Sequence, residues 1–304
     1  MDRIKSYSAL LLAMIGWGIE ITVAKYAIDG IGPFTALLIG SGAASLALWI
    51  LMLVRRPQRR VSLWAFAGLG ALEPFLNYGA LNLALQSSGA AHSALLVALL
   101  PLFVLGLGVL LAGERIDLRT GLASLVSTAG AVLLVGSSLS GSIGAGDALV
   151  MLSNVGSAAS VLVVARLSLR ASALEITAYQ FGFGFLFTLP LTCLLWSTGV
   201  EPVPSIDQGP HLLAAAGVGL GGFALAYLLY NYAIGRVRIS TAGAALNLIP
   251  LVGVLSALVL LGERLPLVAW IASVLILGGI LLLPLESEPA PDPVPPEIEV
   301  ATRS

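Results

Sequence analysis

Long apolar runs separated by short clusters of Gly, Pro and charge dominate the chain. They fall at 7–27, 33–54, 63–86, 91–112 and 118–138, then at 146–167, 173–197, 211–234, 240–261 and 267–284. A helix needs about 20 mostly apolar residues to cross the hydrocarbon core of a bilayer, so the pattern predicts ten membrane-spanning helices. Composition agrees: 58% of the 304 residues are hydrophobic and 10% charged, against roughly 25% charged in soluble domains. The start, Met-Asp-Arg-Ile-Lys, leads into the first run without a small-residue cleavage site, which predicts a retained helix. From 285 to 304, Pro289, Pro291, Pro293, Pro295 and Pro296 stand among acids, the composition of a disordered tail.

The fourth and ninth runs are alike. Residues 98–116 carry Pro101 and close on Gly113-Glu-Arg; residues 247–265 carry Pro250 and close on Gly262-Glu-Arg. The same offset sets Tyr78 on Tyr227 and Asn82 on Asn231. The chain therefore reads as a duplication, with halves at 1–139 and 140–284 and the tail beyond. Lys and Arg accumulate in cytoplasmic loops. With the N-terminus inside, all of the 15 basic residues except Lys25 and Arg264 fall on the inner side. Both termini are then cytoplasmic. Lys25 aligns with Arg166 through Val-Ala-Lys and Val-Ala-Arg, and Arg264 with Arg115, each pair on opposite sides. Five helices per copy is an odd number, so the second copy is inverted. The expected fold is all-α: ten transmembrane helices as two inverted five-helix repeats around a central cavity, the plan of many secondary transporters.

Trp49, Trp64, Trp196 and Trp270 fall near the ends of runs, where indoles anchor at the headgroups; Trp17 lies mid-helix. Pro101 and Pro250 lack the amide that bonds four residues back, leaving the carbonyls of Val97 and Leu246 free. Corresponding broken helices point to a transport site, so both prolines are candidate hinges. The Gly-Glu-Arg closures read as helix stops, the glycine a left-handed cap. Glu20 and Glu73 are acids well inside predicted spans, and a mid-bilayer charge faces the bundle interior. Gly16, Trp17 and Glu20 share a helix face, as do Glu73 and Asn77. Glu20, Glu73 and Asn77 are candidates for coupling or for a polar cavity wall; the second copy places Val161 and Gly222 opposite the two acids. Tyr78, Asn82, Tyr227, Tyr230 and Asn231 add aromatic faces with hydrogen-bonding tips, which with Trp17 suit a small amphiphile. Helix-to-helix bonding is the plain alternative for each amide. Asn154, Gln180 and Asn247 are further polar positions, and His92 lies at an outer mouth.

Enzyme signatures are missing. Neither Lys5 nor Lys25 stands in a phosphate-binding loop, and two histidines with the single Cys193 do not make a usual zinc site. Gly217-Val-Gly-Leu-Gly-Gly222 matches a dinucleotide fingerprint but lies in an apolar helix with no strand before it. No metal, cofactor or catalytic residue is expected. The net charge of −1 gives no sign of a nucleic-acid partner. The expected partners are a small molecule and the lipid bilayer.

Two inverted five-helix copies, each with a central proline and Gly-Glu-Arg, resemble the EamA-type branch of the drug/metabolite transporter superfamily. Gly16-Trp-Gly18 followed by Lys25 resembles that family's opening motif, and the resemblance covers residues 7–284. Within the branch the chain is most similar to the YddG type, bacterial inner-membrane exporters of aromatic and other amino acids. The resemblance implies a helical basket around a cavity, lined here by Trp17, Tyr78, Tyr227 and Tyr230 with Asn82 and Asn231 orienting a neutral amino acid. The second copy departs from the motif at Ala158, where tryptophan is often found. Export of a cationic drug neutralised by Glu20 or Glu73 is the alternative within the fold. A scaffold without flux would need a partner-binding domain that the short loops do not supply. Ten helices can enclose a path in one chain, so the expected unit is a monomer.

Overall fold

Helices begin and stop where local chemistry directs. A computed structural model describes residues 2–54, 62–87, 97–113, 116–136, 145–249, 251–252 and 267–282. The first helix, α1 (Asp2–Ile31), ends at Gly32, whose φ of +85° favours glycine. Proline opens α2 (Pro33–Val54), a position where its missing amide costs nothing. The third span is α3 (Leu63–Gly70), a π-helical segment Ala71–Leu76, and α4 (Asn77–Ser87). After it come α5 (Leu100–Ala112), capped by left-handed Gly113, and α6 (Leu118–Gly136). The second half follows the same plan with α7 (Ala145–Leu167) and α8 (Ala173–Ser197), the latter started by a Ser172 side-chain cap. Its third span is α9 (Gly209–Val218), a π-helical segment Gly219–Ala226, and α10 (Tyr227–Ile234). Then come α11 (Ile239–Ala245) and α12 (Leu267–Leu281).

The exterior is apolar and much of the polarity is inside. Trp64, Leu110, Leu213, Leu267 and Val274 lie largely exposed, whereas Ser41, Ser127, Gln180, Thr188 and Glu73 are buried. Ile4–Ile31, Pro33–Val54, Gly146–Leu167, Ala173–Ser197 and Ile206–Ile234 are long and apolar enough to cross a membrane. With hydrocarbon as solvent, side-chain hydrogen bonds and close packing hold the helices together.

The equivalent helices of the two halves pack antiparallel. Phe34 and Thr35 at the start of α2 meet Thr192, Trp196 and Glu201 at and beyond the end of α8, while Trp49 meets Tyr179. On α6 and α12, a Cβ at Gly279 would lie 2.7 Å from the Ala123 carbonyl oxygen, and one at Gly130 would lie 2.9 Å from the Ala272 carbonyl oxygen. These contacts exchange under a two-fold operation. So do two others: a Cβ at Gly219 would lie 2.2 Å from the Gly40 oxygen, and one at Gly70 would lie 2.9 Å from the Gln180 oxygen. An antiparallel match of like helices makes the halves an inverted pair.

The fourth span is interrupted beside Pro101: α5 begins at Leu100 with the proline in its first turn, after a turn at Ala98–Leu99. The second copy stops at the matching place, α11 ending before a turn at Leu246–Asn247. There the Leu246 carbonyl accepts the Ile249 amide at 3.1 Å and is not left free. Pro250, His92, the two Glu-Arg pairs after Gly113 and Gly262, and the tail lie outside the described residues.

Replacing Gly130 or Gly279 by valine inserts side chain where backbone now touches backbone. Overpacking of this kind costs about 1–3 kcal/mol, so both variants are expected to melt lower in detergent. Gly106→Val is the control, because a Cβ there meets nothing within 4 Å among the described residues. Equal melting of all three would contradict the close approach.

Candidate functional site

Glu73 lies where the third span breaks. The residue before a proline is pushed out of the α region, and Glu73, before Pro74, is extended at φ −152° and ψ 122°. Its carboxylate is turned against α7. Oε1 accepts from Asn77 Nδ2 at 2.7 Å, from the Ser157 hydroxyl at 3.5 Å and from the Tyr227 hydroxyl; Oε2 accepts from the Ser160 hydroxyl. The Ser153 hydroxyl donates in turn to Asn77 Oδ1. All of these groups except Tyr227 lie between the third span of the first half and the first helix of the second, and all are buried.

Glu20 occupies the symmetric interface, between α1 and the third span of the second half. A Cβ at Gly222 would lie 2.1 Å from Glu20 Oε2, and one at Gly16 would lie 3.1 Å from Ala226 Cβ. Gly222 is the repeat partner of Glu73, so the contact Glu20–Gly222 corresponds to Ser160–Glu73. Ser160, rather than Val161, is therefore the structural counterpart of Glu20, and Ser157, rather than Ala158, that of Trp17. The Val-Ala-Lys and Val-Ala-Arg match runs one residue out of register with the packing of these helices. Glu73 and Glu20 are thus supplied by opposite partners of the two interfaces.

Aromatic side chains fill the space between the interfaces. The Trp17 ring meets Tyr227 edge-on at 4.7 Å and Tyr230 at 5.0 Å; Phe181 meets Tyr227 at 5.0 Å, and Tyr78 meets Phe223 at 5.0 Å. The Tyr227 and Tyr78 hydroxyl oxygens are 3.4 Å apart. A small cavity lies alongside, lined by residues that include Glu20, Leu37, Tyr78, Asn82, Val218 and Phe223. Three buried polar atoms at this place have no hydrogen-bond partner among the described residues: Trp17 Nε1, Glu20 Oε2 and the Tyr230 hydroxyl.

The structure brings Trp17, Glu20, Glu73, Asn77, Tyr78, Tyr227 and Tyr230 together. The two amides hold the scaffold: Asn82 Nδ2 donates to the Pro33 carbonyl at 3.3 Å, and Asn231 Nδ2 to Thr177 Oγ1 at 3.0 Å and Gln180 Oε1 at 3.1 Å. Asn82 also borders the cavity. Pro101 stands apart on α5, and Asn247 at the second break donates to Ser127 Oγ at 2.8 Å. Sequence reasoning missed Ser153, Ser157 and Ser160. Their spacing puts them on one face of an apolar helix, a signal that such a face seeks a polar partner.

At one end of the bundle the halves are tied by capping bonds. Glu201 accepts the Phe34 and Thr35 amides at 2.9 Å, Gln208 Nε2 donates to the Gly30 carbonyl at 2.7 Å, and His211 stacks on Tyr26 at 4.3 Å. At the other end Arg238 lies 3.7 Å from Asp117. The Thr120 hydroxyl bond, assisted by the Arg238 charge, holds the Asp117 carboxyl below its ordinary pKa. That contact persists above the usual carboxylate range and weakens as pH falls below it.

Comparison with known proteins agrees with this architecture. The family model described as "EamA-like transporter family" matches the chain twice, at residues 4–136 and 144–284. A protein of Streptantibioticus cattleyicolor named "Probable terminal-alkyne amino-acid exporter" is 26% identical over 291 residues, covering 93% of this chain and 94% of that protein. The Bacillus subtilis "Uncharacterized transporter YetK" is 26% identical over 304 residues, covering 95% and 89%. A solved crystal structure superposes with a TM-score of 0.75 at 21% identity, covering 91% of this chain and 95% of the other. That likeness shows the fold.

Glu73→Ala removes the acceptor for Asn77, Ser160 and Tyr227 and leaves buried donors unpaired. A loss of roughly 1–3 kcal/mol per orphaned group is typical, so the variant is expected to melt well below wild type in detergent. Glu73→Gln, which keeps an acceptor, should recover most of the difference. Indistinguishable melting of the alanine variant and wild type would show that the network does not hold the halves together.

Proposed function

The chain belongs to the EamA-like transporter family, and from that premise we propose that it exports amino acids, or similar small amphiphiles, across a bacterial cytoplasmic membrane by alternating access. The observation that carries this is the aromatic cluster of Trp17, Tyr78, Tyr227 and Tyr230 at the meeting of the two halves, beside a cavity that Glu20 borders. Apolar walls with a few placed polar groups suit a small ligand that is part hydrocarbon and part charge. The name of the Streptantibioticus relative, an amino-acid exporter, and the bacterial source of both relatives support the substrate class and the membrane. Both termini lie in the cytoplasm, following the distribution of Lys and Arg. One chain is the working unit.

Alternating access needs two arrangements of the halves about a fixed site. The broken fourth and ninth spans, with Pro101 and Pro250 beside the breaks, would take up the bending. The capping bonds of Glu201 and Gln208 at one end, and the Arg238–Asp117 contact at the other, would open in alternation while the aromatic cluster stays between them. Asn82 and Asn231 set the helices that carry the tyrosines. The unpartnered Glu20 carboxylate oxygen favours one other reading, export of a cationic drug.

Counterflow of radiolabelled phenylalanine or threonine in proteoliposomes tests the proposal. Wild type is expected to accumulate label, and Trp17→Ala to lower the initial rate roughly tenfold through lost aromatic contact while still reaching the membrane. Counterflow of cationic dyes without any counterflow of amino acids would overturn the amino-acid reading.

A further inference from the structure

The two symmetric interfaces differ in one respect that the fold itself does not require. On the side of α7, the polar groups satisfy one another: Glu73 accepts from Ser157, Ser160, Asn77 and Tyr227. On the side of α1, the place of Glu73 is taken by Gly222, and among the described residues no side chain replaces the lost bonds. Glu20 Oε2, Trp17 Nε1 and the Tyr230 hydroxyl are each buried and unpartnered. Trp17, Glu20 and Tyr230 are 8%, 8% and 4% exposed. A buried polar group without a partner costs of the order of 1–3 kcal/mol, and three in one place mark a surface completed by something else.

The three atoms carry complementary chemistry. Glu20 offers a carboxylate oxygen. Trp17 Nε1 is a donor only, and the Tyr230 hydroxyl can donate. Trp17 and Glu20 stand one helical turn apart on the same face of α1, and the Trp17 and Tyr230 rings meet at 5.0 Å. One acceptor and two donors match the ammonium and the carboxylate that an α-amino acid carries on a single carbon. A simple cation would use Glu20 and leave both donors unanswered.

We infer that Trp17, Glu20 and Tyr230 form a subsite that reads the zwitterionic head of an α-amino acid, Glu20 taking the ammonium and the Trp17 and Tyr230 donors the carboxylate. This rests on the amino-acid reading above and adds how the substrate is recognised. The side chain of the substrate lies along the aromatic cluster, and Gly222 keeps clear the space that Glu20 occupies. The site is one-sided, because the symmetric interface is already closed by its own hydrogen bonds.

Competition against phenylalanine counterflow in proteoliposomes tests it. The competitors are phenylalanine itself, N-acetylphenylalanine, which lacks the ammonium, and phenethylamine, which lacks the carboxylate. On wild type each truncated competitor should be roughly tenfold to hundredfold weaker than phenylalanine, the value of one or two charge-assisted bonds. Glu20→Gln should erase the preference for phenylalanine over N-acetylphenylalanine and keep that over phenethylamine. Trp17→Phe combined with Tyr230→Phe, which retains the rings, should do the reverse. Glu20→Asp should restore part of the ammonium preference, a rescue that loss of folding would not allow. Phenylalanine counterflow with preferences unchanged in these variants overturns the subsite and leaves the amino-acid reading standing. Absence of counterflow of both phenylalanine and threonine in wild type overturns both.

Discussion

Backbone-to-backbone contact between like helices running in opposite directions is the constraint on which this molecule depends. In hydrocarbon there is no solvent to drive apolar faces together, so helices associate by close approach and hydrogen bonding. Gly130 and Gly279 bring α6 and α12 into such contact, and Gly70 and Gly219 do so for the third spans against α8 and α2. Because each contact occurs twice under one two-fold operation, a single packing solution specifies both halves. The π-helical segments Ala71–Leu76 and Gly219–Ala226 also correspond, which places the two irregular stretches of backbone face to face with the first helices.

Symmetry of the backbone then makes asymmetry of the side chains informative. At one interface Glu73 completes a closed polar network; at the other a glycine stands in its place and Glu20 approaches from the opposite partner. A buried network that satisfies itself holds helices in a fixed register. A set of polar atoms left unsatisfied at the matching place is suited to a ligand. Duplication thus supplied two equivalent clefts, one of which serves as structure.

Much of the architecture was legible in the sequence because the signals were long. Apolar runs gave α2 and α8 with bounds of 33–54 and 173–197, and the paired prolines and tyrosines gave the duplication. The odd number of spans gave the inversion, which the antiparallel contacts of α2 with α8 display. Trp17, Glu20 and Glu73 stood out as polar or bulky residues at mid-span. What escaped was short-range. The extended backbone at Glu73 depends on its proline neighbour. The correct partner of Glu20 in the other half is fixed by helix contact, which shifts the local alignment by one residue to Ser160. Ser157 and Ser160 looked like ordinary small residues until Glu73 was seen against them.

The central claim is that substrate is held between α1 and the third span of the second half. Alkylation of a single cysteine at Ala226, which faces Gly16 across that interface, tests it most directly in a Cys193→Ser background. Labelling by a small thiol reagent is measured in membranes with and without saturating phenylalanine. The account predicts that phenylalanine slows labelling, and that the protection disappears in Glu20→Gln. Labelling that is unaffected by phenylalanine, in a protein that still transports it, would contradict the placement of the site.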